Sequence, residues 1–268
     1  MDLGLAGKVV LITGSSKGIG FACAKAFAAE DAKVSIVSRD PANLARAREQ
    51  LASDSHHVHL TRADLHEAHS VENVVEEASA ALGPIDILIN SAGAVRRYDP
   101  NSLDAAAYKA AMDAKYFSYV YPQQVVLKRM AERLKRDPNA EPGAIVNIIG
   151  MGGKIASDIH IADGAANAAL MLNTVGLAHH YAKLGIRINA INPGSDADRT
   201  RRRSAGARSA KRRRHARSGA RRRSAKSAVR RFAKPEEIAD GALFLASRRA
   251  SYVSGGLIPM DRVSSPII

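Results

Sequence analysis

The sequence predicts an α/β fold in which a doubly wound parallel sheet is covered by helices on both faces. Three observations predict it. Short, mostly apolar runs alternate with helical patterns along the chain, and strands alternating with helices need right-handed crossovers that leave the strands parallel. The runs are apolar nearly throughout, as strands buried on both faces require. The first run is closed by a glycine-rich turn that opens a helix. With 268 residues, 46% of them hydrophobic, the chain suits one large domain with a substantial core.

The elements follow in order. KVVLIT (8–13) is the first strand, and helical spacing then runs from Ile19 to Glu30. KVSIV (33–37) and HVHLT (57–61) are strands separated by a helix over Leu44–Ala52. A helix over Val71–Leu82 leads to IDILIN (85–90), and one long helix is expected over Leu103–Leu134. AIVNII (144–149), a helix over Gly164–Leu184 and RINAIN (187–192) come next. Pro235 starts PEEIADGALFLAS, with proline in the first turn and acids beside it, as helix N-termini favour. No internal repeat is present. The single cysteine, Cys23, lies among Phe21, Ala22 and Ala24 and reads as a small buried hydrophobe. No apolar run approaches the length of about 20 residues that spans a bilayer. The N-terminus has no basic stretch, apolar run and cleavage site in series. The expectation is a soluble, cytoplasmic protein that uses no membrane.

The net charge of +14 would ordinarily suggest a nucleic-acid partner. Its distribution argues otherwise. Residues 195–231 hold 16 Lys and Arg against 2 Asp, while the rest of the chain has 24 basic and 24 acidic residues. A neutral protein therefore carries one very basic insert. The insert is almost entirely Arg, Ala, Ser and Lys, with Val229 its only large aliphatic residue. It has no apolar period and no interleaved aromatics for base stacking.

The loop TGSSKGIG (13–20) follows a strand and opens a helix. Gly14, Gly18 and Gly20 permit a tight turn and close approach to a phosphate, and the amides around Ser15, Ser16, Lys17 and Ile19 can face that anion. Its place in a strand–helix–strand unit marks a dinucleotide site. The second strand ends at Ser38-Arg39-Asp40. Arg39 with Lys17 can meet an additional 2′-phosphate, so NADP fits better than NAD; in the competing reading Asp40 takes the ribose while Arg39 faces solvent.

TGSSKGIG, Asp64-Leu65, NSAG (90–93) and INPG (191–194) together resemble the short-chain dehydrogenases/reductases. The resemblance covers 1–194 and 232–268. It implies a single Rossmann-type domain over 1–268 with a seven-stranded sheet. It implies that Asp64 and Leu65 border the adenine, that Asn90, Ala92 and Gly93 line the cofactor cleft, and that Pro193 and Gly194 lie near the nicotinamide. It also implies a homotetramer or homodimer built on the helices at 103–134 and 164–184, with alanines 165, 166, 168 and 169 allowing close approach.

In that family a tyrosine moves the proton, a lysine four residues later lowers its pKa, a serine polarises the carbonyl, and an asparagine anchors a relay water. Aligned on GAIVNIIGMGG, NAAL and DAKYFSYV, these positions hold Asp163, Asn167, Gly150 and Lys115. All four roles have changed. The tyrosine nearest in that stretch, Tyr181, lies too far along its helix. Lys154, Ser157, Asp158 and His160 precede that helix; His160 is a candidate proton donor, and Lys115 or Asp163 a substitute acid. HHVH (56–59) and HEAH (66–69) lack the carboxylate or cysteine partners of a metal site and read as solvated surface. Two functions remain: an NADP-dependent oxidoreductase of a small carbonyl or alcohol with a non-standard site, and a catalytically silent nucleotide-binding or scaffold protein.

Residues 195–231 stand where the family places its substrate lid, and their length suits it. A lid must bury an apolar face, and this stretch has none. Arg, Ala, Ser and Gly codons are what a GC-rich gene yields out of frame. Two compensating shifts, near 195 and near 230, would explain the abrupt composition, the neutral remainder and the preserved length together.

Overall fold

Val9–Thr13 (β1) is buried along its whole length, and so are Ile87–Asn90 (β4) and Ala144–Ile148 (β5). Apolar side chains on both faces force such strands into the middle of a layered structure. In this computed structural model, which describes residues 2–51, 57–93, 97–194 and 231–263, they form the centre of a seven-stranded sheet. The other strands are Lys33–Ser38 (β2), Val58–Arg62 (β3), Arg187–Pro193 (β6) and Leu257–Met260 (β7). All pairings are parallel and the order is β3-β2-β1-β4-β5-β6-β7. The order reverses between β1 and β4. A crevice opens there at the carboxyl ends of the strands, where such sheets bind ligands.

Gly18–Ala29 (α1), Pro41–Leu51 (α2) and Pro235–Ala246 (α7) cover one face. Phe27, Leu44 and Ile238 pack there against Val10, Ile12 and Ile36. Ala68–Leu82 (α3), Ala105–Ala111 (α4), Ser118–Arg136 (α5) and Ile161–Tyr181 (α6) account for the remaining helices. Val71, Val75, Val126, Leu127 and Ala178 fill the second face. Each large aliphatic side chain removed from water in this way contributes about 1.5–3 kcal/mol. Cys23 is fully buried, and desolvation pushes its thiol up to about 12. It packs as a hydrophobe and not as a nucleophile.

Two expectations need correction. The long helix expected over 103–134 begins at Ala105, where Asp104 accepts a hydrogen bond from the Ala107 amide at 2.8 Å. It is also broken by a π-turn over Met112–Phe117. Such turns insert an extra residue and cluster at functional sites; periodicity alone does not reveal them. Of the alanines 165, 166, 168 and 169, Ala166 faces the core, while Ala165 and Ala168 are exposed. Among the described residues no helix is long and apolar enough to cross a membrane. The basic insert, except Arg231, lies outside the described residues.

Candidate active site

The cleft starts at the glycine-rich turn. Gly14 has φ +63° and Gly18 φ +61°, the left-handed region that glycine enters without penalty. A Cβ on Gly14 would stand 2.6 Å from Ala92 Cα, and one on Gly20 would stand 2.5 Å from Gly14 O. The turn therefore packs backbone against backbone, and Gly14, Ser16 and Lys17 line the crevice just before α1, an arrangement that suits a phosphate. Ser15 turns away from the cleft: its hydroxyl donates to Ile12 O at 2.6 Å and accepts from the Val37 amide at 2.9 Å. Ser16 lines the cleft and donates to Ser38 Oγ at 2.9 Å. Ile19 packs against the core.

One end of the cleft lies over β2 and β3, lined by Lys17, Arg39, Asp40, Asp64, Leu65 and His66. Asp40 caps α2. Its carboxylate accepts from the Ala42 amide at 3.0 Å and the Asn43 amide at 3.2 Å, and also from Asn43 Nδ2. Arg39 stays open, 60% exposed, with Nη1 3.6 Å from Asp64 Oδ2. Asp64 accepts in addition from the His66 amide at 3.2 Å and lies 3.0 Å from His66 Nδ1. His69 pairs with Glu67, and His59 meets Ser35 and Thr61, so these histidines serve local contacts.

Ala92 and Gly93 continue the cleft past β4, with Ala114 and Ser118 across from them. Asn90 does not reach it. Its side chain is fully buried, accepting from Thr13 Oγ1 at 3.4 Å and donating to Asn147 Oδ1 at 3.0 Å. Asn147 donates in turn to Gln123 Oε1 and Thr174 Oγ1, at 3.2 and 3.0 Å. This buried polar chain ties β1, β4 and β5 to α5 and α6. Satisfied networks of this kind fix one packing of a core. Pro193 ends β6, and the Gly194 amide donates to Met260 O at 3.3 Å.

Lys115, Gly150 and Asn167 lie near the carboxyl end of β5, and Asp163 stands one turn before Asn167 on α6. Lys115 sits in the π-turn with a residual exposure of 8%. Its Nζ donates to Tyr119 Oη at 2.8 Å and to Ile148 O at 3.2 Å. Tyr119 is fully buried and donates to Ile148 O at 2.5 Å. Asp163, on the first turn of α6, is buried, with Oδ2 3.8 Å from His160 Nδ1. Asn167 Nδ2 lies 4.0 Å from where a Cβ on Gly150 would stand, and Asn167 Oδ1 accepts no hydrogen bond among the described residues. Gly150 itself has φ +121°, a backbone that L side chains rarely adopt. Lys154, Ser157, Asp158 and His160 line a separate pocket along the outer side of α6.

The tyrosine that enters this region is Tyr119, not Tyr181, which packs with Leu177 and Leu184 away from it. The signal was present: Lys115 and Tyr119 are four apart on a helix, a spacing that puts two side chains on one face. A full hydrogen-bond set and complete burial make Tyr119 a support for Lys115 rather than an accessible acid.

A family model described as short chain dehydrogenase matches residues 8–205. Galactitol 2-dehydrogenase (L-tagatose-forming) of Cereibacter sphaeroides is 30% identical over 259 residues, covering 96% of this chain and 94% of the relative. D-threitol dehydrogenase of Mycolicibacterium smegmatis is 30% identical over 260 residues, covering 97% and 94%. The crystal structure of L-sorbose reductase from Gluconobacter frateurii, complexed with NADPH and L-sorbose, superimposes with a TM-score of 0.90 at 27% identity, covering 100% of both chains.

Proposed function

The chain belongs to the short-chain dehydrogenase family, and from that premise we propose that it is an NADP(H)-dependent oxidoreductase interconverting a carbonyl and an alcohol. The observation that carries the cofactor assignment is the division of labour at the end of β2. Asp40 is spent on capping α2, while Arg39 and Lys17 remain at the cleft. A carboxylate so engaged is a poor ribose acceptor, and two cations favour a 2′-phosphate. Gly14, Gly18 and Gly20 with the α1 amides would hold the pyrophosphate, Asp64 and Leu65 the adenine, and Ala92 and Gly93 the inner cleft wall. Bound there, the cofactor supplies a hydride donor or acceptor. Polyols and ketoses are the substrates to test first, because the relatives named above act on galactitol, D-threitol and L-sorbose.

The proton is moved without a tyrosine. His160 Nδ1 lies 3.8 Å from Asp163 Oδ2, and these two groups at the start of α6 are the candidates for that role. The reaction is slow in this reading. A turnover assay over a panel of ketoses and polyols with each nucleotide tests it.

A second reading, nucleotide binding without turnover, has its own observation. Gly150 offers no hydroxyl, Asn167 no charge, and the only tyrosine hydroxyl donating into this region among the described residues, Tyr119, is sequestered. NADPH binding with no turnover on any member of the panel would select it.

We also propose a homotetramer or homodimer that covers α6. Ile161, Leu172 and Val175 are 41%, 77% and 41% exposed, and with Ala165 and Ala168 they form one stripe. Light scattering on the purified protein tests the assembly.

A further inference from the structure

The register that pairs Ser38 with Arg62 brings the residues just past β2 and β3 side by side. The Ala63 amide donates to Ser38 O at 3.3 Å, and Arg62 Nε donates to Arg39 O at 3.3 Å, so the backbone is tied on both sides. Arg39 and Asp64 both line the cleft there, with Arg39 Nη1 3.6 Å from Asp64 Oδ2. Among the described residues Asp64 is the one carboxylate within ion-pairing distance of Arg39. Lys17, the other cation lining this end, has none among them.

The two carboxylates lining this end are engaged differently. Asp40 is used by the start of α2. Asp64 is fixed on one side: its Oδ1 accepts from the His66 amide at 3.2 Å and lies 3.0 Å from His66 Nδ1. These contacts leave Oδ2 turned to Arg39. At 3.6 Å the pair is an attraction between charges rather than a hydrogen bond, and an exposed pair of this kind is weak. Arg39 therefore keeps its fork of donors, which matches a phosphate in two parallel hydrogen bonds. A 2′-phosphate arriving here must share the guanidinium with Asp64 or take it away. A ribose hydroxyl carries no charge and makes no such demand.

We propose that Asp64 is a specificity-determining residue that acts through Arg39. It holds the guanidinium in an ion pair that a 2′-phosphate must open, and so keeps the preference for NADPH over NADH below what Arg39 alone would give. The inference rests on the cofactor reading above and deepens it. Lys17 and Arg39 supply the attraction for the extra phosphate, and Asp64 sets how much of Arg39's share is delivered. Asp64 also borders the adenine in that reading, so replacing it can touch both nucleotides. The ratio of the two affinities isolates the part that passes through Arg39.

Calorimetric titration of the full-length protein with NADPH and with NADH reads that ratio without any turnover. Asp64→Asn keeps the shape of the side chain and removes its charge. It should raise the preference for NADPH by about threefold to fivefold at low ionic strength, the scale of an exposed ion pair. The gain should shrink in salt, because an exposed pair is screened. In the Arg39→Ala background the same exchange should leave the ratio within about twofold, as a double-mutant cycle requires of two coupled residues. A residue that only walls the adenine would weaken both nucleotides together and leave the ratio unchanged, and that result overturns the inference. An equal gain in the Arg39→Ala background overturns it too, because Asp64 would then act on the phosphate directly. If Asp64→Asn does not fold, Asp64→Ser in the same two backgrounds decides the question. Binding of neither nucleotide by the wild type, or an unaltered preference in Arg39→Ala, would instead remove the cofactor reading itself, and this inference with it.

Discussion

Gly14 and Gly150 are both glycines at positive φ beside one cleft, at +63° and +121°. They are glycines for different reasons. At Gly14 a Cβ would collide with Ala92 backbone at 2.6 Å, so the turn cannot exist with any other residue. At Gly150 the nearest atoms to a Cβ, Pro193 O and Asn167 Nδ2, are 3.9 and 4.0 Å away, and only the backbone angle discourages a side chain. Glycine is a steric requirement at Gly14, the end proposed to hold the phosphates. At Gly150, in the proposed reacting end, the packing leaves room and the backbone angle alone disfavours a side chain. In this reading the cofactor end is built from backbone and the reacting end from side chains.

The largest expected effect tests the reacting end. Losing general acid catalysis costs about 10² to 10⁴ in rate, so carbonyl reduction by the wild type should be slow by that margin. Asp163→Tyr with Asn167→Lys should raise it. Adding Gly150→Ser should help less than the free space suggests, because a side chain at φ +121° carries strain of about 1–3 kcal/mol. The triple variant should therefore melt several degrees below the double variant. A wild-type rate ordinary for a reductase, abolished by Asp163→Asn, would show that Asp163 already works as a catalytic residue and would erase the contrast between the two ends.

The next effect tests the phosphate end. Gly14→Val should weaken NADPH binding by roughly 100-fold through the strained turn, measured by titration. Unchanged affinity would mean that the glycine turn does not hold the nucleotide. Arg39→Ala is milder. It should weaken NADPH by about tenfold, the scale of a hydrogen bond to a charged group, and leave NADH nearly untouched. An unaltered preference between the two nucleotides would return the ribose to Asp40.

What the sequence disclosed follows the same division. The glycine spacing, the apolar runs and the strand–helix alternation announced the sheet, the crevice and the cofactor turn, because each is enforced by sterics or burial. Asn90 and Ser15 were assigned to the cleft by motif, but their polar atoms are consumed by Asn147, Thr13, Ile12 and Val37. Motif position does not disclose which way a side chain turns. Tyr119 was missed although its four-residue spacing from Lys115 was legible, because spacing shows that two side chains share a face and not which groups they meet. The insert from 195 outward remains a reading of composition: we propose that it is an out-of-frame translation. Intact mass and peptide mapping of the purified protein test it, and tryptic peptides matching 195–231 as written would sink it.

The smallest effect concerns how the chain is fastened where the insert ends. Glu237, on the first turn of α7, accepts both guanidinium nitrogens of Arg231 at 2.7 and 2.6 Å, and the Lys234 amide at 2.8 Å. Arg262, at the end of β7, approaches it to 3.5 Å. The Arg231 hydrogen bonds, followed by the backbone amide, lower the Glu237 carboxyl to about 2. Its unfolded value is about 4.3. A depressed carboxylate contributes stability that is fully present above the unfolded value and is lost as the pH falls toward the folded one. The contribution is therefore complete at neutral pH and disappears between roughly pH 4.5 and 2. Glu237→Gln should lower the melting temperature slightly at pH 7 and not at all near pH 2, and the difference should shrink in salt because the group is partly exposed. Melting curves across that window measure it. A difference that persists unchanged at pH 2 would assign the effect to packing or geometry altered by the substitution rather than to the charge that joins Arg231 and Arg262, because glutamine can still accept the Lys234 amide.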